Sequence, residues 1–279
     1  MRNIAMRVAY DGTHFVGSQW QSQGRSVQGV LESTWNTFTR EQKRFTFAGR
    51  TDAGVHAYAQ VANVYTASDY PVATVQRACN ALLPADVAVY AVQEVADDFH
   101  ARHSAVQRRY RYLIDDTPVA QPLLRHAVLH VPWPLDLAAM QAAMDMLPGE
   151  HDFVGFARAM KSTSSTTRIC YEARCYRIRV LEQTLIAVEL VANAFLYAMV
   201  RTVVGTLLQV GSGQRDPSDI AAVLISKDRR QAGPTAPPHG LTLVDVVYPP
   251  DILAATESRT QRLRIGNEDI FTESRRDTA

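Results

Sequence analysis

Apolar and polar positions divide the chain into short elements before any single residue is weighed. Asn3 to Tyr10 is a mostly apolar run that stops at Asp11-Gly12, a turn pair, and reads as a buried opening strand. Residues 13–25 form a polar loop with Phe15, Trp20 and several glutamines. Ser26 is placed to cap a helix whose apolar stripe is Val27, Val30, Leu31, Thr34 or Trp35, and Phe38. Arg44 to Ala48 and Gln60 to Tyr65 both have strand character, and the glycines between them predict a hairpin. Pro71 opens a second helix containing Val72, Val75, Ala78 and Leu82, and Pro84 stops it. Asp86 to Val95 is another strand. Strand–helix–strand–strand–helix–strand is the order of the ferredoxin-like split βαβ unit.

The second half repeats these element types with insertions and without a sequence repeat. Tyr110 to Ile114 opens a new strand set, and Ala127 to Val131 is placed to pair near it before Pro132 and Pro134 break the run. Leu137 to Leu147 is helical and ends at Pro148-Gly149. Ile169 to Val180 and Thr184 to Val191 predict a hairpin, followed by a long helix from Phe195 to Val210 that Gly211-Ser212-Gly213 ends. Asp216 is the expected N-cap of the next helix, with Pro217 at its first position, and Thr242 to Val247 is a closing strand. The expected fold is therefore α+β: two tandem ferredoxin-like half-domains, a mainly antiparallel sheet with helices packed on it, and an active-site cleft between the halves. The boundary is expected near Ala105, giving an N-terminal half of residues 1–105, a C-terminal half of residues 106–250, and a polar tail of residues 251–279.

Composition narrows the class. With 47% hydrophobic and 20% charged residues in 279, the chain is of globular type, and no apolar run is long enough to span a bilayer. The N-terminus enters a strand-like segment without a signal-peptide core, and Cys79, Cys170 and Cys175 have neither zinc nor thioredoxin spacing, so a reducing cytoplasm is expected. A net charge of +1 does not announce a nucleic-acid binder. Its distribution says more: Arg102, His103, Arg108, Arg109 and Arg111 crowd one segment, and Arg168, Arg174, Arg177 and Arg179 another. Each cluster reads either as a phosphate-binding patch or as a solvated strand face.

Three constellations carry candidate chemistry. In Gly49-Arg50-Thr51-Asp52-Ala53-Gly54-Val55-His56, two glycines bracket a guanidinium and a carboxylate at the end of a sheet, although Asp near Gly is also ordinary turn chemistry. Arg201 is the only charge between Phe195 and Val210, on a helix apolar all round. It either snorkels to solvent or needs a buried carboxylate, and Asp52 is the candidate. Alternation sends Tyr110 and Tyr112 to one face of their strand and Arg109 and Arg111 to the other, which suits base stacking with phosphate contact, or a core aromatic pair. Asp97, Asp98, His100 and His103 raise a metal-dependent hydrolase as an alternative, but His-x-x-His off a helix is poor zinc spacing. Walker and dinucleotide loops, and a Gly-x-Ser-x-Gly elbow, are absent.

The string from Gly49 to His56 closely resembles the active-site signature of the TruA-type tRNA pseudouridine synthases. Further resemblances follow in chain order: Tyr10-Asp11-Gly12-Thr13, Ser26-Val27-Gln28, Phe99-His100-Ala101-Arg102, Arg109-Tyr110-Arg111-Tyr112, Asn193-Ala194-Phe195-Leu196 with Met199-Val200-Arg201, and Thr235-Ala236-Pro237-Pro238 before Gly240-Leu241. The resemblance implies isomerisation of uridine to pseudouridine at positions 38, 39 and 40 in the anticodon arm of tRNA, by a homodimer in which each tRNA touches both subunits. It implies Asp52 as nucleophile, Tyr110 stacked on the target base and available as a base, and Arg201 paired with Asp52. It also implies an RNA-binding set of Arg50, His56, Tyr110, Arg102, Arg109 and Arg168. The reaction is redox-neutral and internal, so neither cofactor nor metal is expected. One departure is the loop Gly17-Ser18-Gln19-Trp20-Gln21, where the family usually reads Gly-Trp-Gln, so this loop's packing or RNA contact is expected to differ. The competing reading is a non-catalytic RNA-binding protein of the same fold, which has no use for an arginine buried opposite Asp52.

Overall fold

The computed structural model describes residues 1–158 and 165–249. The first half contains β1 (Arg2–Tyr10), α1 (Val27–Thr39), β2 (Thr46–Phe47), β3 (His56–Thr66), α2 (Val72–Leu82) and β4 (Val87–Val95). The second contains β5 (Gln107–Asp115), β6 (Leu129–His130), α3 (Leu137–Met144), β7 (Gly149–Asp152), β8 (Thr167–Val180), β9 (Gln183–Ala192), α4 (Met199–Gly211), α5 (Asp219–Ser226) and β10 (Leu241–Val247).

Local chemistry accounts for the boundaries. The Ser26 hydroxyl accepts from the Gly29 amide and starts α1, and Arg40 in the left-handed region (φ 62°) ends it. The Asp136 carboxylate caps α3 in the same way through the Ala139 amide. Along β1, Ile4, Met6, Val8 and Tyr10 are buried at alternate positions, as a strand with a core face requires.

All the described strands join one ten-stranded sheet with the order β4-β1-β3-β10-β5-β9-β8-β7, where β2 adds to β3 and β6 to β5. Pairings are antiparallel except β3–β10 and β5–β6. Within the first half the order is β4-β1-β3-β2, and within the second β10-β5-β9-β8. Each is the fourth-first-third-second order of a ferredoxin-like unit, so the tandem α+β architecture holds. The halves fuse because β2 is short. It covers β3 only at Ala62 and Asn63, leaving the start of that edge open, and β10 pairs there at His56 and Ala57. One row of residues consequently crosses the seam: Tyr10 beside Ala57, Ala57 beside Leu243, Leu243 beside Tyr110.

Three local expectations differ from the structure, and one strand had no expectation to match it. The helix carrying Arg201 begins at Met199 rather than Phe195, because Ala198 adopts a left-handed backbone (φ 58°) that a continuing helix excludes. The strand after the signature begins at His56, four residues before Gln60. Asp216 does not cap a helix. Its carboxylate takes the Ser218 amide and hydroxyl in a local turn, and α5 starts at Asp219. The strand β7 was not anticipated, since Gly-Glu-His-Asp has no apolar alternation. The expected tail at 251–279 lies outside the described residues.

Candidate active site

The signature forms the loop between β2 and β3. At Gly54 (φ +76°) the backbone enters a region that favours glycine. Gly12 packs beneath it so closely that a Cβ there would lie 2.0 Å from the Val55 carbonyl oxygen. Buried polar groups hold the loop on both sides of Asp52. The Ser18 amide donates to the Thr51 carbonyl (3.1 Å), and the Thr51 amide donates to the Ser18 hydroxyl (2.9 Å). The Tyr10 and Thr51 hydroxyls are 2.8 Å apart. Gln60, fully buried, accepts from the Gly49 amide (3.3 Å), donates to the Gly49 carbonyl (2.9 Å), and also reaches the Tyr10 hydroxyl (3.4 Å). Past Asp52, the Gly54 amide donates to the Phe15 carbonyl (3.3 Å). The carboxylate therefore projects from a backbone with little freedom to move.

The other half supplies its partner. Arg201, in the first turn of α4, donates from Nη1 to Asp52 Oδ2 at 3.0 Å and from Nε to the Ala236 carbonyl at 2.8 Å. Ala236 is itself held to α4, its amide donating to the Arg201 carbonyl (3.0 Å). This close approach depends on Gly205, where a Cβ would meet the Pro234 carbonyl oxygen at 1.6 Å. The Asp52 and Arg201 side chains are only 20% and 15% exposed, so the pair is largely out of water.

Tyr110 lies on the same face, buried, with the Phe195 ring edge-on at 4.9 Å between centroids. A Cβ on Gly49 would lie 3.7 Å from its hydroxyl, which places that hydroxyl against the signature loop. Burial raises the Tyr110 pKa, and the nearby Tyr10 and Asp52 raise it further, so the group is a neutral phenol through the neutral range. Tyr112, two residues on, donates to the Pro237 carbonyl (2.8 Å) and fixes the closing segment.

The structure brings Asp52, Tyr110 and Arg201 together, and Arg50 is exposed on the same loop. Arg102 is exposed on the segment after β4. That segment is tied to the loop root by buried Arg108, which donates to the carbonyls of both Arg102 (2.5 Å) and Ala48 (3.1 Å). Arg168 is half-buried, donates to the Ser165 and Thr167 carbonyls, and has its pKa lowered by burial.

His56 and Arg109 are placed differently from the rest of the expected RNA-binding set. His56 is buried in β3: Nδ1 is 3.0 Å from the Gly12 amide and 3.1 Å from an Asp11 carboxylate oxygen, and Nε2 is 3.0 Å from the His239 carbonyl. Arg109 is on the opposite face of the sheet from Tyr110, paired with Glu172 (3.0 Å) and with Glu189, a carboxylate only 2% exposed that also takes Arg111. Burial works against the Arg109 charge, but these carboxylates outweigh it and raise its pKa. The alternation of Tyr110 and Arg109 anticipated this separation.

Among the described residues no group of three or more His, Cys, Asp or Glu side chains is arranged to hold a metal ion. His100 Nδ1 instead accepts from the backbone amides of Arg102 and His103. The clamp formed by Gln60, Tyr10, Thr51 and Ser18 has no counterpart among the sequence motifs. The available signal was an amide in a strand otherwise rich in apolar residues.

An arginine-held carboxylate at the seam of two ferredoxin-like halves, beside a buried aromatic ring, suits an enzyme that brings a carboxylate to a planar, unstacked ring. Comparison with known proteins gives the family. A model described as tRNA pseudouridine synthase matches residues 6–104 and 143–249. A tRNA pseudouridine synthase A of Roseiflexus sp. (strain RS-1) is 53% identical over 257 residues, covering 92% of this chain and 94% of that protein. Proteins of the same name from Chloroflexus aurantiacus (strain ATCC 29366 / DSM 635 / J-10-fl) and Caldicellulosiruptor saccharolyticus are 52% and 42% identical, covering 92% and 89% of this chain and 92% and 100% of their own lengths. The chain belongs to the tRNA pseudouridine synthase family and is an isomerase. A solved structure of a Cbf5-Nop10-Gar1 complex is too distant to add to this: 12% identity, TM-score 0.31, covering 74% of this chain and 45% of its own.

Proposed function

We propose that this chain converts uridine to pseudouridine at positions 38, 39 and 40 in the anticodon arm of tRNA, with Asp52 as the nucleophile. A base inside a stem is out of reach and must be flipped into the seam. The N1–C1′ bond breaks, the detached base turns, and C5 joins C1′. N1 gains a proton and the C5 proton leaves to water, so the product is an isomer of the substrate. Asp52 either bonds covalently to the nucleotide or stabilises charge on the sugar. Arg201 orients it and supplies the opposing charge. Tyr110, held as a phenol, serves as a surface and hydrogen-bond partner for the loose base, and its raised pKa favours that role over proton abstraction. Arg50, Arg102 and Arg168 are assigned to the RNA, whereas His56 and Arg109 are assigned to the fold.

The observation carrying this reading is the Arg201–Asp52 pair, for which a passive RNA-binding protein has no use. The resemblance of the motifs supports two further parts of it: units of residues 1–105 and 106–250, and a cytoplasmic homodimer whose two subunits both touch each tRNA, which sedimentation of the free protein and the complex tests. The test of the activity is tritium release from tRNA carrying 5-tritiated uridine, under excess chelator, by the wild type and Asp52→Asn. Release by the wild type and none by a folded variant that still binds tRNA is expected. Release by Asp52→Asn at the wild-type rate overturns the role of Asp52.

A further inference from the structure

The polar loop before α1 holds an aromatic side chain that the catalytic set does not use. Trp20 is 49% exposed, whereas Trp35 on the adjoining helix is fully buried. Exposure alone does not single it out, since Trp133 is equally exposed (51%) and lone surface rings are ordinary; what is unusual is what surrounds Trp20. Its setting is built by a closed circuit of side chains. The Trp20 amide donates to Gln28 Oε1 (2.9 Å), Gln28 Nε2 donates to Glu32 Oε1 (2.7 Å), and Glu32 Oε2 accepts from Arg44 Nη1 (2.9 Å). The Arg44 guanidinium then returns over the indole, 5.2 Å from its centroid. Beside the ring runs a groove of about 420 Å³, bordered by Arg25, Gly29, Val30 and Leu82. The loop also reaches the active site: Trp20 is two residues from Ser18, about 7 Å of chain, and Ser18 exchanges two hydrogen bonds with Thr51 beside Asp52.

We propose that Trp20 is a stacking platform for an unpaired nucleobase of the RNA substrate, distinct from the reacting uridine, with the Arg44 guanidinium beside the ring supplying positive charge near the adjoining phosphate. The inference rests on the reading of the chain as a tRNA-modifying enzyme. The chemistry fits on two counts. Every nucleobase has a π face to lay on an indole, and the local guanidinium charge complements a phosphate backbone. An occupant here is held by the same loop that clamps the signature, so it draws the RNA toward the seam without entering the reaction.

The test compares the wild type with Trp20→Ala and Trp20→Phe. It measures the Kd for tRNA across a salt series, turnover at saturating tRNA, and the thermal midpoint. Trp20→Ala is expected to raise Kd by about 10-fold, the loss of one base–aromatic stack. The slope of log Kd against log salt, the saturated rate and the midpoint are expected to be unchanged. Trp20→Phe is expected to bind within about twofold of wild type, since a smaller ring still stacks. A Trp20→Ala protein that binds as wild type does, or a Trp20→Phe protein weakened as much as Trp20→Ala, overturns the proposal. Absence of tritium release by the wild type refutes the enzymatic reading instead, and the Kd comparison still decides the platform.

Discussion

Replacing Arg201 by methionine removes the guanidinium while nearly conserving volume, so the effect reports charge and orientation rather than a cavity. Two interactions disappear: the 3.0 Å contact with Asp52 and the 2.8 Å bond to the Ala236 carbonyl. Breaking a buried ion pair from one side costs about 3–5 kcal/mol. With Asp52 still 20% exposed, water takes up part of the stranded charge, so the lower end applies, about 3 kcal/mol. The orphaned carbonyl adds about 1 kcal/mol. A total of about 4 kcal/mol lowers the thermal midpoint of a chain this size by roughly 7 °C. The carboxylate also loses its orientation, and a misplacement of about 1 Å at a reacting group costs about 100-fold in rate. Arg201→Lys, which restores charge but not the two-point grip, should recover more stability than activity. Urea unfolding and tritium release under single-turnover conditions read the two effects separately. A folded Arg201→Met protein within about 1 kcal/mol and threefold of wild type would refute the ion-pair reasoning.

Two further expectations follow from the interior. Substituting Gln60 by methionine deletes the bonds to both backbone groups of Gly49, and should lower kcat while leaving the Kd for tRNA near wild type. Loss of tRNA binding in parallel with kcat would mean that Gln60 supports the RNA surface rather than the aim of Asp52. Burial raises the pKa values of Tyr10, Tyr110, Tyr112 and Tyr248. The native state thus holds these protons more tightly than the unfolded chain. Stability is unaffected below the unfolded value near 10 and falls as pH rises toward the native values. Absorbance of ionised tyrosine, followed with circular dichroism from pH 8 to 12, should show part of the amplitude appearing only with unfolding; all eleven tyrosines titrating near 10 in the folded protein would contradict this.

The legible part of the molecule was the part governed by local periodicity. Strand alternation placed Tyr110 and Tyr112 on one face and Arg109 on the other, and one charge on an otherwise apolar helix foretold a carboxylate facing Arg201. What alternation cannot say is which face of a sheet carries the site; Arg109 pairs with Glu172 and Glu189 on the face opposite Tyr110. The start of α4 was misplaced because Phe195 and Leu196 continue an apolar pattern while Ala198 turns the backbone the other way, a conformation set by packing and not by alanine's preference. His56 looked like a loop residue until β10 paired beside it and drew it into the sheet. The clamp on Gly49 is a contact between residues eleven apart, made by a buried amide with no local signature.

The placement of β10 also governs when this enzyme can come into being. The strand that joins the halves is the last described one, so β3 and β5 wait with unpaired edges until Leu241–Val247 arrives. During synthesis, Asp52 is made early and Arg201 late, and the strand that seals the sheet between their two halves comes later still. Such long-range pairing is slow, and open strand edges invite association with other chains. A polypeptide stopped before Leu241 would carry every catalytic side chain proposed above and still lack the strand that holds the two halves in register.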